Sequence, residues 1–158
     1  MITQSGTSIP GGGVAVGLQY ALIPVHGYGI AVATVARMLD ADGSGAQARV
    51  LAAGESVPYG AWPVLLAETT MYGATQVEEM LRHWGPLPKP WLVLIADAPA
   101  RPVADARYLV RALGGRLAGV ASVPYLPVLR AVKGPEEALE HKDVQAAAQK
   151  LRRTMERK

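Results

Sequence analysis

The run Trp91-Leu92-Val93-Leu94-Ile95-Ala96 limits what this chain can fold into more than any other segment. A strand with one face in water alternates apolar and polar side chains. An unbroken apolar strand makes sense only where helices cover both faces of a parallel sheet. Leu92, Val93, Leu94 and Ile95 are therefore all expected to be buried. The flanking sequence agrees with such a sheet. Residues 64–67 read as a short buried strand, and 72–84 as a helix with Val77, Met80, Leu81 and Trp84 on one face. The breaker Gly85-Pro86-Leu87-Pro88-Lys89-Pro90 follows, and beyond the apolar run a helix over 103–113 is closed by Gly114-Gly115. Residues 117–123 read as another strand.

Upstream, a strand fits within 19–25, and a helix over 31–39 is stopped by Asp40-Ala41-Asp42-Gly43-Ser44-Gly45. A brief strand is expected at 49–52, a loop at 56–62 and a helical turn at 128–132. A final helix at 143–156 has Asp143 as its expected cap. Strands alternating with helices imply βαβ units. The expected architecture is one α/β domain over 19–158, a mainly parallel sheet with helices on both faces, behind a flexible leader at 1–18.

The composition narrows the function classes. With 158 residues and 50% hydrophobic content, one sizeable core can form. No apolar run approaches the roughly 20 residues that cross a bilayer, and residues 1–9 lack the pattern of a secretory signal. Zero Cys excludes disulfides and Cys-ligated metals and fits a cytoplasmic protein. The net charge of +3 is too small an excess to argue for nucleic acid by itself.

One segment carries a chemical pattern. Gly27-Tyr28-Gly29-Ile30-Ala31-Val32-Ala33-Thr34 spans the turn after the first strand and the start of its helix. Strand, Gly-rich turn, helix is the layout of a phosphate-binding loop, in which backbone N–H groups and a Lys cradle phosphate oxygens. An ordinary tight turn would have the same outline. Here the Lys position is Val32 and the next hydroxyl position is Ala33, so the scaffold is present without its charge or its Mg²⁺ ligand.

This segment resembles the deviant phosphate loop of ParA/MinD-like ATPases, Lys-Gly-Gly-x-Gly-Lys-Thr-Thr. Gly29 and Thr34 keep the family residue. Gly27 replaces the signature Lys, Tyr28 a Gly, Ala31 the third Gly, Val32 the catalytic Lys and Ala33 the Mg²⁺-binding Thr. Residues 117–125, ending in Val123-Pro124-Tyr125, and then Pro127-Val128-Leu129-Arg130-Ala131 resemble the late family segment in which the loop after the strand-ending Pro borders the nucleotide base. Asp97 stands where the family places a base-contacting Asn. The whole is also similar to small actinobacterial proteins with a shortened form of this fold. The resemblance implies a vestigial nucleotide site at Gly27, Gly29, Thr34, Asp97, Pro124 and Tyr125, with nucleotide bound weakly or not at all. The family's acidic switch motifs are missing, and Glu68-Thr69-Thr70 is the nearest substitute.

No residue pattern points to catalysis, a cofactor or a metal. His26, His83 and His141 lack ligand spacing, so His26 reads as structural, and Asp97 reads as capping the turn into Pro99. The expected function is non-catalytic binding or scaffolding through a protein partner or self-association, with Tyr28 and Arg101 as contact residues. Two alternatives stay open. One is a nucleotide-dependent ATPase using Lys89, Arg101 or Arg107. The other is a DNA-associated accessory protein of a plasmid or mobile element, using the basic C-terminus. For the last helix, the stripe Val144, Ala147, Leu151 and Met155 implies docking on the sheet with its basic end solvated.

Overall fold

Every strand expected from the apolar runs is present and pairs in parallel. The computed structural model describes residues 17–156. The chain order is β1 (Tyr20–Pro24), α1 (Ile30–Leu39), β2 (Ala48–Val50), β3 (Trp62–Glu68), α2 (Met71–Arg82), β4 (Trp91–Ile95), α3 (Ala104–Ala112), β5 (Gly119–Val123), α4 (Pro135–Ala138) and α5 (Lys142–Glu156). Short 3₁₀ turns occupy Gly114–Arg116 and Pro127–Arg130. The proposed leader lies outside the described residues except for Gly17 and Leu18, and Leu18 already packs beside Ala21, Leu51 and Ala61.

The five strands lie in the order β2-β1-β3-β4-β5. From β1 the chain moves outward to β2, then crosses back to β3 on the other side of β1 and continues to β4 and β5. Right-handed crossovers running in opposite directions place their helices on opposite faces. Accordingly α1, joined by α4 and α5, covers one face, where Leu22, Val64, Leu66, Trp91 and Val93 meet Val35, Met38, Val144 and Leu151. On the other face Leu65 and Leu92 pack against Val77 and Leu81 of α2 and Leu113 beyond α3. Leu92, Val93 and Ile95 are buried as expected, but Leu94 is only half-buried. It sits near the carboxyl end of β4, where a cleft separates α2 from α3.

The remaining differences have local causes. β3 begins at Trp62, inside the expected loop, because Trp62 pairs in register with Tyr20. Pro63 is tolerated there because β4 pairing starts only at Val64, leaving that side of Pro63 without a ladder partner. α5 starts at Lys142, so Asp143 lies inside its first turn and accepts only from the N–H of Val144 (2.9 Å) instead of capping. The basic end of α5 is not wholly solvated either: Arg152 Nη1 donates to the Met38 carbonyl (2.8 Å), tying α5 to α1.

Two acidic residues shape the return from α1. Asp40, buried at the end of α1, accepts from the N–H groups of Gly45 (2.7 Å) and Gln47 (3.0 Å), which aims the chain into β2. Past β2, Arg49 grips Glu55 with two bonds of 3.1 and 2.6 Å, and Glu55 also accepts from the Ala52 N–H. The Arg49 hydrogen bonds, then the Ala52 bond, pull the Glu55 carboxyl down from 4.5 to about 2. A carboxyl lowered by folding adds stability above its unfolded value and loses it as pH falls through its folded one. The Glu55 contribution should therefore fade between about 4.5 and about 2. An NMR titration should find Glu55 titrating at about 2 and Arg49→Gln should return it toward 4.5; an unshifted Glu55 in the parent protein would contradict this grip.

Candidate functional site

In an open parallel sheet the loops at the carboxyl ends of the strands are free to vary, and ligands bind in the crevice beside the point where strand order reverses. Here that point lies between β1 and β3. Two contiguous hollows open there. The larger, about 480 Å³, is walled by α1, the ends of β4 and β5 and the 3₁₀ turn Pro127–Arg130. The smaller, about 210 Å³, lies under the β1–α1 loop. Ala31, Glu68 and Ile95 line both.

The sequence builds this crevice from short, tight connections. β1 hands over to residues 25–29, with Gly27 at φ +90, a left-handed conformation that other residues seldom adopt. Gly29 is extended and α1 starts at Ile30. His26 is fixed by its Nε2, which accepts from the Glu68 N–H (3.1 Å), and its ring lies 5.8 Å from that of Tyr72. This supports the structural reading of His26. Across the crevice, Thr69 Oγ1 donates to Asp97 Oδ1 (3.0 Å), linking the loops after β3 and β4. Asp97 therefore does not cap the path into α3, whose first turn follows Val103 with no side-chain cap.

The structure brings together most of the residues singled out from sequence. Thr34, Asp97, Pro124 and Tyr125 line the larger hollow; Gly27, Tyr28 and Gly29 line the smaller. Arg101 is the exception, exposed on the β4–α3 loop and outside both hollows. Val32 is half-buried against the apolar core on the α1 face. Sequence reasoning did not single out Met38, Leu126 and Tyr72, and it reached Leu129 and Arg130 only as part of the segment 127–131. The signal for Leu126 and Leu129 was Pro127, which starts a turn separated from β5 by three residues, with both leucines lining the hollow.

The chemistry of the lining is mixed. Ile30, Val35, Met38, Ile95, Val123 and Leu126 supply an apolar wall. Glu68, Asp97 and Arg130 are its charged members, and none of the three forms an ion pair within 4 Å among the described residues. Among the described residues no group of three or more His, Cys, Asp or Glu is placed to hold a metal ion, and no helix is long and apolar enough to cross a membrane. The fold and crevice define an open, doubly wound α/β domain with a cleft at the carboxyl ends of its strands. No protein-family model, curated protein or solved structure matches the chain.

Proposed function

We propose that this protein is a non-catalytic binding module that acts through protein contacts at the carboxyl ends of its strands, on a crevice unsuited to nucleotide. The observation that carries the reading is an exposed aromatic and thioether patch on that rim. Tyr28 is 68% exposed, Tyr72 64% and Met71 44%, and the His26–Tyr72 ring contact joins the β1–α1 loop to the start of α2. Tyr offers a large rigid surface with a polar tip, which is why it is enriched where proteins meet. The resemblance to ParA/MinD-like ATPases supports the same location, as a vestigial nucleotide crevice reused for contact.

The character of the crevice argues against a triphosphate. Val32 supplies no charge at the phosphate-facing position, and the carboxylates of Glu68 and Asp97 would face the anion. Each charge-assisted hydrogen bond forgone is worth roughly 1.5–3 kcal/mol. Calorimetry with ATP or GTP and Mg²⁺ should show no binding in the micromolar range. The double substitution Tyr28→Ala/Tyr72→Ala should leave thermal melting unchanged and abolish co-purification of the partner or self-association. Micromolar nucleotide binding, or undiminished association by the folded double variant, would overturn the proposal. Arg101→Ala, on the neighbouring loop, tests whether the contact extends beyond the rim.

A further inference from the structure

The wall of the larger hollow contains a polar group that the fold leaves unsatisfied. Thr34 is 0% exposed, yet its Oγ1 has no hydrogen-bond partner among the described residues. Helical threonines commonly turn the hydroxyl onto a carbonyl one turn earlier; this one does not. A buried hydroxyl without a partner is costly, and such groups in folded proteins call for a cause. Arg37 Nε is likewise unpartnered, but its guanidinium is already engaged through Nη1 with Glu136 (3.0 Å). Thr34 has no such compensation.

Three features of the same hollow give the cause a chemical form. The lining that Thr34 shares is largely apolar, formed in part by Val35, Met38, Leu126 and Leu129. Glu68 and Asp97 contribute two carboxylates, against a single cation, Arg130. The volume of about 480 Å³ falls within the range of small-molecule sites, which are mostly apolar with a few placed polar groups.

We infer that this hollow binds a small amphipathic organic amine, its ammonium group served by Thr34 Oγ1, Glu68 and Asp97 and its hydrocarbon part lying against Met38, Leu126 and Leu129. A hydroxyl oxygen and two carboxylates are all acceptors, and an ammonium carries three donors and no acceptor. An anion of the same shape would meet two like charges with only Arg130 to offset them. The inference rests on the reading that nucleotide is not the ligand here, and it does not depend on the protein partner.

The test uses the full chain and three probes of one shape: phenethylamine, phenethyl alcohol and hydrocinnamate, followed by amide NMR and calorimetry at neutral pH. Phenethylamine should shift the signals of Thr34, Ala96 and Leu126 saturably and bind at least about tenfold more tightly than hydrocinnamate, with the alcohol between them, a tenfold ratio being about 1.4 kcal/mol. Thr34→Val keeps the shape and removes the unsatisfied hydroxyl. It should raise the melting temperature by roughly 2–4 °C while weakening phenethylamine about tenfold, the size of one hydrogen bond. Asp97→Asn and Glu68→Gln should weaken it by a similar factor. Equal binding of amine and acid, no saturable shift with any probe, or undiminished amine affinity in Thr34→Val would overturn the inference. Those outcomes leave the protein-contact reading standing, whereas micromolar ATP binding would defeat that reading first.

Discussion

Replacing Trp91 with Ala should cost about 3–5 kcal/mol, the usual range for removing a buried aromatic side chain, and should lower the melting temperature by roughly 10 °C. Trp91 opens β4 and is 2% exposed, in the cluster that joins the sheet to α1 and α5. Its ring reaches over β5 at the residue in register with it, Gly119. A Cβ at Gly119 would lie 2.5 Å from the ring, closer than real Cβ atoms come. Glycine inside a strand often marks such a close approach. The two positions should therefore be strongly coupled. Gly119→Ala should destabilise the parent protein, yet cost at least about 1 kcal/mol less in the Trp91→Ala background, because the ring that it would strike is gone. Denaturant unfolding of the two single variants and the double variant completes the cycle. Additive costs would show that Trp91 and Gly119 do not share the space.

The contrast between this pair and the rest of the sheet shows what the sequence could carry. Strand β4 was legible because its signal is repeated in every residue: Leu92, Val93 and Ile95 each vote for burial on both faces. The helices followed from apolar spacing, and α1 and α2 lie within two residues of their expected ends. Single-residue signals fared worse. Asp143 and Asp97 both have side chains suited to capping, but the first is inside the helix and the second is taken by Thr69, a neighbour 28 positions away. The four-residue helix α4 escaped a periodicity argument because one turn has no period, although Pro135 at its start with Glu136 and Glu137 behind it was a usable sign.

The crevice was half legible for the same reason. Its position follows from topology, since a sheet that grows outward on both sides of β1 must leave a gap at the carboxyl ends, and the loops named from sequence converge there. Its chemistry depends on side chains that meet only in three dimensions. Nothing in the spacing of Thr34 announces that its hydroxyl will be buried without a partner. Arg101 and Tyr28 are both exposed loop residues by sequence, and only the fold separates the one beside the crevice from the one outside it.

Gly73→Ala should destabilise the protein, against the sign that local propensity gives. Alanine is preferred over glycine inside a helix by about 1 kcal/mol, and Gly73 is the third residue of α2 with an ordinary helical setting. Its surroundings reverse the outcome. Only Thr69 and Thr70 separate β3 from α2, so the first turn of the helix folds directly back over the end of the strand. A methyl group at Gly73 would overlap the carbonyl oxygen of Glu68. The clashing atom is backbone, held in place on both sides: the Glu68 N–H is bound to His26, and the Thr69 N–H to the Ile95 carbonyl (3.1 Å). It has no rotamer into which to retreat. Relief requires α2 to shift off the sheet, at an overpacking cost of roughly 1–3 kcal/mol after the propensity gain is offset. That shift would also disturb Glu68, whose side chain borders both hollows of the crevice. The expected result is a melting temperature roughly 5 °C lower, together with altered amide signals at Glu68 and Thr69. Thr75→Ala, on the exposed side of the same helix, serves as the control and should be neutral or slightly stabilising. If Gly73→Ala were as benign as Thr75→Ala, the close approach of α2 to β3, and with it the fixed position of Glu68, would be wrong.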